Sequence, residues 1–166
     1  MGCDTRKTSG NVWRDARLKA AMYNEELSSQ EKVASRLGFG TDAIRRIETD
    51  TNKVMPVDSA VLLADLYNAP ELLNHYCLHE CPIGARRSLS EDTIEIDRAA
   101  VKISKALRKE TIQRIKSQLQ DIAVDGTVSE SEFQVFDEIM DELRELSKII
   151  SELEIIRYRM AREKEK

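Results

Sequence analysis

Apolar residues recur at spacings of three and four along the chain, and turn formers cut that pattern into short pieces before residue 80 and long ones after residue 90. The first piece, "NVWRDARLKAAMY", puts Val12, Trp13, Ala16, Leu18 and Ala20 on an imperfect helical stripe. The second, "SSQEKVASRL", offers Ser28 or Ser29 as its N-cap. The third, "TDAIRRIET", follows two glycines, and the turn-rich link "DTNKVMP" leads to a fourth, "VDSAVLLADLY". Pro70 opens a fifth, "PELLNHYCL", at the position where a missing N–H is tolerated best. Five short helices with tight connections predict one small helical domain.

"CPIGARRSLS" divides the chain, because Pro82 and Gly84 break helix and Ser88 and Ser90 can start another. The expected domains are residues 1–85 and 86–166. In the second, residues 90–123 and 129–162 read as two long helices joined at "DGT", an antiparallel hairpin with coiled-coil spacing. Phe136, Ile139, Leu143, Leu146, Ile150, Leu153 and Met160 form a seam on the last helix, interrupted by Arg157, with Val135, Ile149 and Ile156 as a second stripe. The first arm has Ile96, Ala99, Ile103, Ala106 and Leu107, then shifts phase into Ile112, Ile115, Leu119 and Ile122. A lone hairpin leaves the second stripe of the last helix wet, whereas two paired hairpins cover it. A homodimer or higher homo-oligomer through residues 90–162 is therefore expected, unless the stripe packs against the N-terminal domain.

Composition agrees with helices: 34% of residues are charged and 5% aromatic. Three cysteines argue against a disulfide framework and for a reducing, cytoplasmic setting. No apolar run approaches a bilayer span and "MGCDTRKTSG" lacks a signal-peptide core, so no membrane association is expected, although Met-Gly-Cys weakly matches a lipidation signal. The net charge of −4, and 10 Lys+Arg against 12 Asp+Glu in residues 1–80, make the chain no generic polyanion binder. Any contact with nucleic acid must come from a local field.

That field has a candidate in "ASRLGFGTDAIRRIE". Counting from Gln30, Ala34 lets a crossing helix approach closely, and Gly38 supplies the positive φ that ends one helix and turns the chain. Ile44 and Ile47 then face back toward Val33 and Leu37, which leaves Thr41, Asp42, Arg45 and Arg46 on or beside the outer face. This is helix-turn-helix geometry, whose second helix fits a major groove.

Over residues 11–76 the chain resembles the Xre/lambda-repressor-like DNA-binding domains of bacterial and phage regulators. The resemblance lies in Gln30, Val33-Ala34, Leu37-Gly38, Ile44, Ile47-Glu48, Pro56, Leu63-Ala64 and Leu66. It implies an all-α chain, a five-helix lambda-repressor-like domain followed by the hairpin, acting on double-stranded DNA. It further implies that Gln30 grips a phosphate, that Thr41, Asp42 and Arg46 face base edges with Arg45 beside them, and that Asn52 and Lys53 touch the flanking backbone. Two departures stand out. Gly40 replaces the usual Ser or Thr cap, with Thr41 a possible substitute. Asp42 repels phosphate but can accept from cytosine N4 or pair locally with Arg45 or Arg46.

Two stretches resemble metal sites. In "HYCLHEC", His75 and His79 share one helical face and Cys77 and Cys81 another, about 200° away. Only an unwound segment or a site shared between subunits would bring the four onto one zinc. In "DIAVDGTVSESE", Asp121, Asp125, Gly126, Val128 and Glu132 fall at calcium-loop positions, but Ala123 stands where an oxygen ligand is needed. Ser129 and Glu132 form a capping box just as readily. No metal and no cofactor is expected. No phosphate loop, nucleophile elbow or acid–base cluster supports an enzyme. The functional expectation is a sequence-specific transcriptional regulator, repressor-like, that binds a palindromic operator as a dimer. The alternative is a protein–protein adaptor whose helix-turn-helix no longer reads sequence.

Overall fold

The computed structural model describes residues 10–50, 55–124 and 126–164. Asn52, Lys53, Asp125 and the Met-Gly-Cys start lie outside them. Eight α-helices and two 3-10 turns make up the regular structure of the described residues, which contain no strand. The chain forms two compact units, Met1–Arg86 and Arg87–Lys166.

The N-terminal unit contains α1 (Val12–Ala21), a 3-10 turn (Glu25–Leu27), α2 (Gln30–Leu37), α3 (Thr41–Glu48), α4 (Val57–Tyr67), α5 (Glu71–His79) and a second 3-10 turn (Gly84–Arg86). Its core joins Trp13, Leu27, Val33, Ile44, Leu63 and Leu72 with their smaller neighbours. Asn11 ties the two ends of the unit's sequence-distant parts together. Its side-chain oxygen caps α1 by accepting from the Arg14 N–H at 2.9 Å, while its Nδ2 donates to the Ile47 carbonyl at 2.8 Å. The inward stripe of α1 differs from the expected one. Val12 and Leu18 are 36% and 44% exposed, and the buried positions are Trp13 and Arg17, with Ala16 and Ala20 half-buried. These four follow the i, i+3, i+4, i+7 rule. A charged residue inside the stripe hid the true phase.

Arg17 is tolerated there because each of its three guanidinium nitrogens meets an acceptor. Its Nε and Nη2 donate to Glu48 Oε1 and Oε2 at 2.6 and 3.0 Å, and Nη1 donates to the carbonyls of Leu27 and Ser28 at 3.2 and 3.0 Å. The side chains are only 6% and 1% exposed. The hydrogen bond that Arg17 donates to Glu48 raises the Arg17 pKa above its ordinary value despite the opposing effect of burial.

Tyr67, on α4, is buried beside this pair. Burial, reinforced by the Glu48 carboxylate and opposed by Arg17, raises its phenol well above the ordinary value of 10.0. A raised pKa means that the folded state favours the neutral phenol. That contribution is complete below the unfolded pKa and is lost as pH climbs toward the folded one. The unit is therefore expected to lose about 1.4 kcal/mol of stability per pH unit above pH ~10. Tyr67→Phe removes this contribution, while Tyr76, whose phenol burial also raises, adds its own in parent and variant alike. Urea unfolding followed through Trp13, the chain's single tryptophan, at neutral and alkaline pH checks it. An unchanged alkaline decline in the variant would contradict this account.

The C-terminal unit departs from a two-helix hairpin. Its first arm is two helices, α6 (Ile96–Ala106) and α7 (Lys109–Ile122), and the return arm is α8 (Phe133–Glu163). Between α6 and α7, Arg108 adopts extended backbone (φ −60°, ψ 142°) with neither Gly nor Pro nearby. The phase shift explains the break. Five residues separate Leu107 from Ile112, so an unbroken helix would carry the second apolar stripe about 140° around from the first. Breaking the helix lets Ala99 of the first stripe and Ile122 of the second both be buried, while Ile96, Leu107 and Ile112 stay exposed.

Lys102 meets Glu152 and Arg114 meets Glu142, so numbers fall on α8 as they rise on the first arm, which makes the pairing antiparallel. Ser88 and Ser90 do not cap a helix at residue 90. The stretch runs alongside α8 instead, where the Ser88 carbonyl accepts from Ser147 Oγ at 3.0 Å and the Ser90 N–H donates to Ser151 Oγ at 2.9 Å. That cover buries Ser151 and Glu152 in the second half of α8. Of the expected α8 seam, Ile139 is fully buried, but Leu143, Ile150 and Met160 are 37%, 47% and 53% exposed. The expected capping box does not start α8: Glu132 is its N-cap without a side-chain cap, and the Ser129 N–H donates to Glu132 Oε2 at 2.9 Å within the turn before the helix. No helix among the described residues is long and apolar enough to cross a membrane.

Candidate nucleic-acid interface

The geometry of α2 and α3 follows from a few residues. Ser29 starts α2, its side chain accepting from the Lys32 N–H at 3.3 Å. Gly38 ends it in the left-handed region at φ 69°, and the Phe39 N–H reaches back to the Ala34 carbonyl at 2.8 Å. The half-buried Phe39 ring packs against the core, the apolar contact that accompanies such helix ends. Gly40 precedes α3 without a side-chain cap, and Thr41 does not replace one. Instead α3 is held by burial of Ile44, Ile47 and Glu48, the first two on the same core as Val33.

Thr41, Asp42, Arg45 and Arg46 are all exposed, at successive turns of the side of α3 away from that core. Arg46 Nε donates to the Asp42 carbonyl at 3.3 Å, so the contact between these two residues runs through the backbone. Thr49 Oγ1 closes the end of α3 on the Arg45 carbonyl at 2.8 Å. Gln30, the first residue of α2, donates from Nε2 to Glu48 Oε2 at 2.8 Å. One of its two amide hydrogens is thereby committed inward and the side chain is fixed beside α3. Arg36 is exposed but pairs with Glu26, so the positive field at this surface rests mainly on Arg45 and Arg46. Asn52 and Lys53 fall outside the described residues, and the structure does not place them.

Two features near this surface escaped the sequence pattern. The Arg17–Glu48 pair locks α1 to α3, and its signal was an arginine in register with Trp13 and Ala20. A groove of about 460 Å³ lies beside the turn, between Phe39, Ala43 and Arg46 on one side and Pro56 and Ser59 on the other. Its walls come from elements some fifteen residues apart, and no local pattern could join them.

The "HYCLHEC" residues sit at the end of α5. His75 and His79 stack at 4.4 Å between ring centroids, with Trp13 edge-on to His75 at 6.4 Å. Cys81 Sγ accepts from the Gly84 N–H at 3.4 Å, and burial pushes the Cys77 thiol up, with Cys81 adding to the effect. A Cβ at Gly84 would lie 2.3 Å from the Cys77 carbonyl oxygen, so the turn after α5 requires glycine there. Among the described residues, no set of ligand atoms joins either cysteine to the histidines.

Comparison with protein-family models, with curated proteins and with solved structures returned no match.

Proposed function

We propose that the chain is a sequence-specific DNA-binding transcriptional regulator of the lambda-repressor-like kind, repressor-like and cytoplasmic, in which α2, the turn at Gly38 and α3 form the helix-turn-helix. The observation that carries this reading is α3 itself. It anchors Ile44 and Ile47 in the core and turns Thr41, Asp42, Arg45 and Arg46 outward together. An exposed helix bearing two arginines and two short polar residues suits a major groove, where arginine donates to guanine and aspartate accepts from cytosine. Gln30, held by Glu48, stands at the start of α2, where the preceding helix of such a pair meets the phosphate backbone. Two chains paired through residues 90–162 would present two copies of α3 to an inverted repeat.

Selection of binding sites from random duplex DNA tests the reading. The expected outcome is enrichment of an inverted repeat whose half-sites lie about one helical turn apart. Binding that falls steeply with salt yet enriches no sequence would replace the regulator with an adaptor or a non-specific binder.

A further inference from the structure

The break after Ala106 has a consequence in the C-terminal unit. A cleft of about 1180 Å³ opens between α7 and α8. Ile112, Ile115 and Leu119 form its floor on one side and Leu143, Leu146 and Ile149 on the other. Ile112 and Leu143 are 46% and 37% exposed, so a substantial apolar surface of this small unit remains in water.

The two rims carry opposite charge. Lys105 and Lys116 stand along the α6–α7 side, while Asp141, Glu142 and Glu145 stand along α8. Lys102 pairs with Glu152 at 2.7 Å, and within α8 Arg144 pairs with Asp141 and Lys148 with Glu145, both at 2.6 Å, leaving Lys105 and Lys116 facing an acidic rim whose charges are shared with α8's own bases. Glu142 Oε1 accepts from Arg114, so this carboxylate too has a partner within the chain.

We propose that a second copy of this chain occupies the cleft, docked about a two-fold axis that sets the basic rim of each copy against the acidic rim of the other. A two-fold interface is made from one surface used twice, so it must be complementary to itself. A cleft with one positive and one negative rim over an apolar floor meets that condition. The pairing covers the floor and builds a bundle from two hairpins. A small amphiphile fits less well. Its acid head would meet three carboxylates beside the two lysines, and the open cleft exceeds the roughly 300–1,000 Å³ of most small-molecule pockets. The proposal names the surface behind the self-association proposed above, and its evidence is independent of DNA binding.

Charge reversal of the full chain tests it in the absence of DNA, so failure of the DNA-binding reading leaves the result interpretable. Lys105, Lys116, Asp141 and Glu145 are all exposed, and reversing them leaves the core of the unit intact. Sedimentation equilibrium at micromolar concentration is expected to show a dimer for the parent chain. The K105E/K116E and D141K/E145K variants should each dissociate at least about tenfold more readily, because both contacts across the axis become repulsive. An equimolar mixture of the two should restore the dimer, since each heterodimer contact is again attractive. A monomeric parent chain, variants that pair as well as the parent, or a mixture that pairs no better than its components would each overturn the proposal. Uptake of an anilinonaphthalene sulfonate dye by a monomeric parent chain would assign the cleft to a small apolar ligand instead.

Discussion

Glu48→Ala is expected to lower the stability of the N-terminal unit by about 3–5 kcal/mol, the range for breaking one side of a buried ion pair. The substitution leaves Arg17 charged and 5% exposed, with only the Leu27 and Ser28 carbonyls as partners. It also frees Gln30 Nε2 and opens a void where the carboxylate met Arg17. For a unit of this size the thermal midpoint should fall by about 15 °C or more. Trp13, 3% exposed and placed on α1 four residues from Arg17, reports the transition by fluorescence. A second variant separates the ion pair from simple loss of packing. Arg17→Met combined with Glu48→Leu removes both charges and fills the space, and it should recover much of the loss, because a buried pair replaced by apolar groups is often neutral. A Glu48→Ala midpoint within a few degrees of the parent would show that solvent reaches Arg17 and that the pair holds nothing together.

Arg46→Ala should cost about 1–3 kcal/mol of affinity on the preferred DNA site and flatten discrimination at one base position. Its exposed side chain lies on α3 one turn beyond Asp42, with Nε bonded to the Asp42 carbonyl, an arrangement that aims the guanidinium along the helix surface. Gln30→Ala should instead weaken binding to every sequence by a similar factor, because a phosphate contact positions the protein without reading bases. Since Gln30 also donates to Glu48, its stability must be measured alongside, and Gln30→Glu is no substitute because it sets two carboxylates together. Lys53→Ala should reduce the dependence of binding on salt by about one counterion. The hypothesis is falsified if Arg46→Ala and Thr41→Ala leave affinity and base preference unchanged in chains that remain folded.

Helix identity in the N-terminal unit was legible from local chemistry. α4 runs from Val57 to Tyr67 and α3 begins at Thr41 because Pro56, Gly40 and the apolar spacing act within a few residues of each other. Gly38 at φ 69° is likewise a local matter, since a left-handed residue at a helix end excludes most side chains. The phase of α1 was not legible. The stripe was drawn through Val12 and Leu18, and only the position of Glu48, 31 residues away, makes Arg17 an inward residue.

In the C-terminal unit the sequence carried a warning, the change of phase between Leu107 and Ile112, but not its resolution. A phase change can be absorbed by a bend, a supercoil adjustment or a break. The break at Arg108 resolves it here by letting α6 and α7 approach α8 separately. Ser88 and Ser90 illustrate the same limit. A serine before a helical run has an equal local claim to cap it or to bond elsewhere, and Ser147, Ser151 and Glu152 on α8 decided the matter. The helical character, the turn between α2 and α3, and which side chains of α3 are spare once Ile44 and Ile47 are buried could all be read locally, because each depends on periodicity within one element. The joining of α1 to α3 by Arg17 and Glu48, and the charged-rim cleft between α7 and α8, emerge only when the helices are packed. Both depend on how separate helices approach one another, and that is set by the shapes and charges of residues distant along the chain.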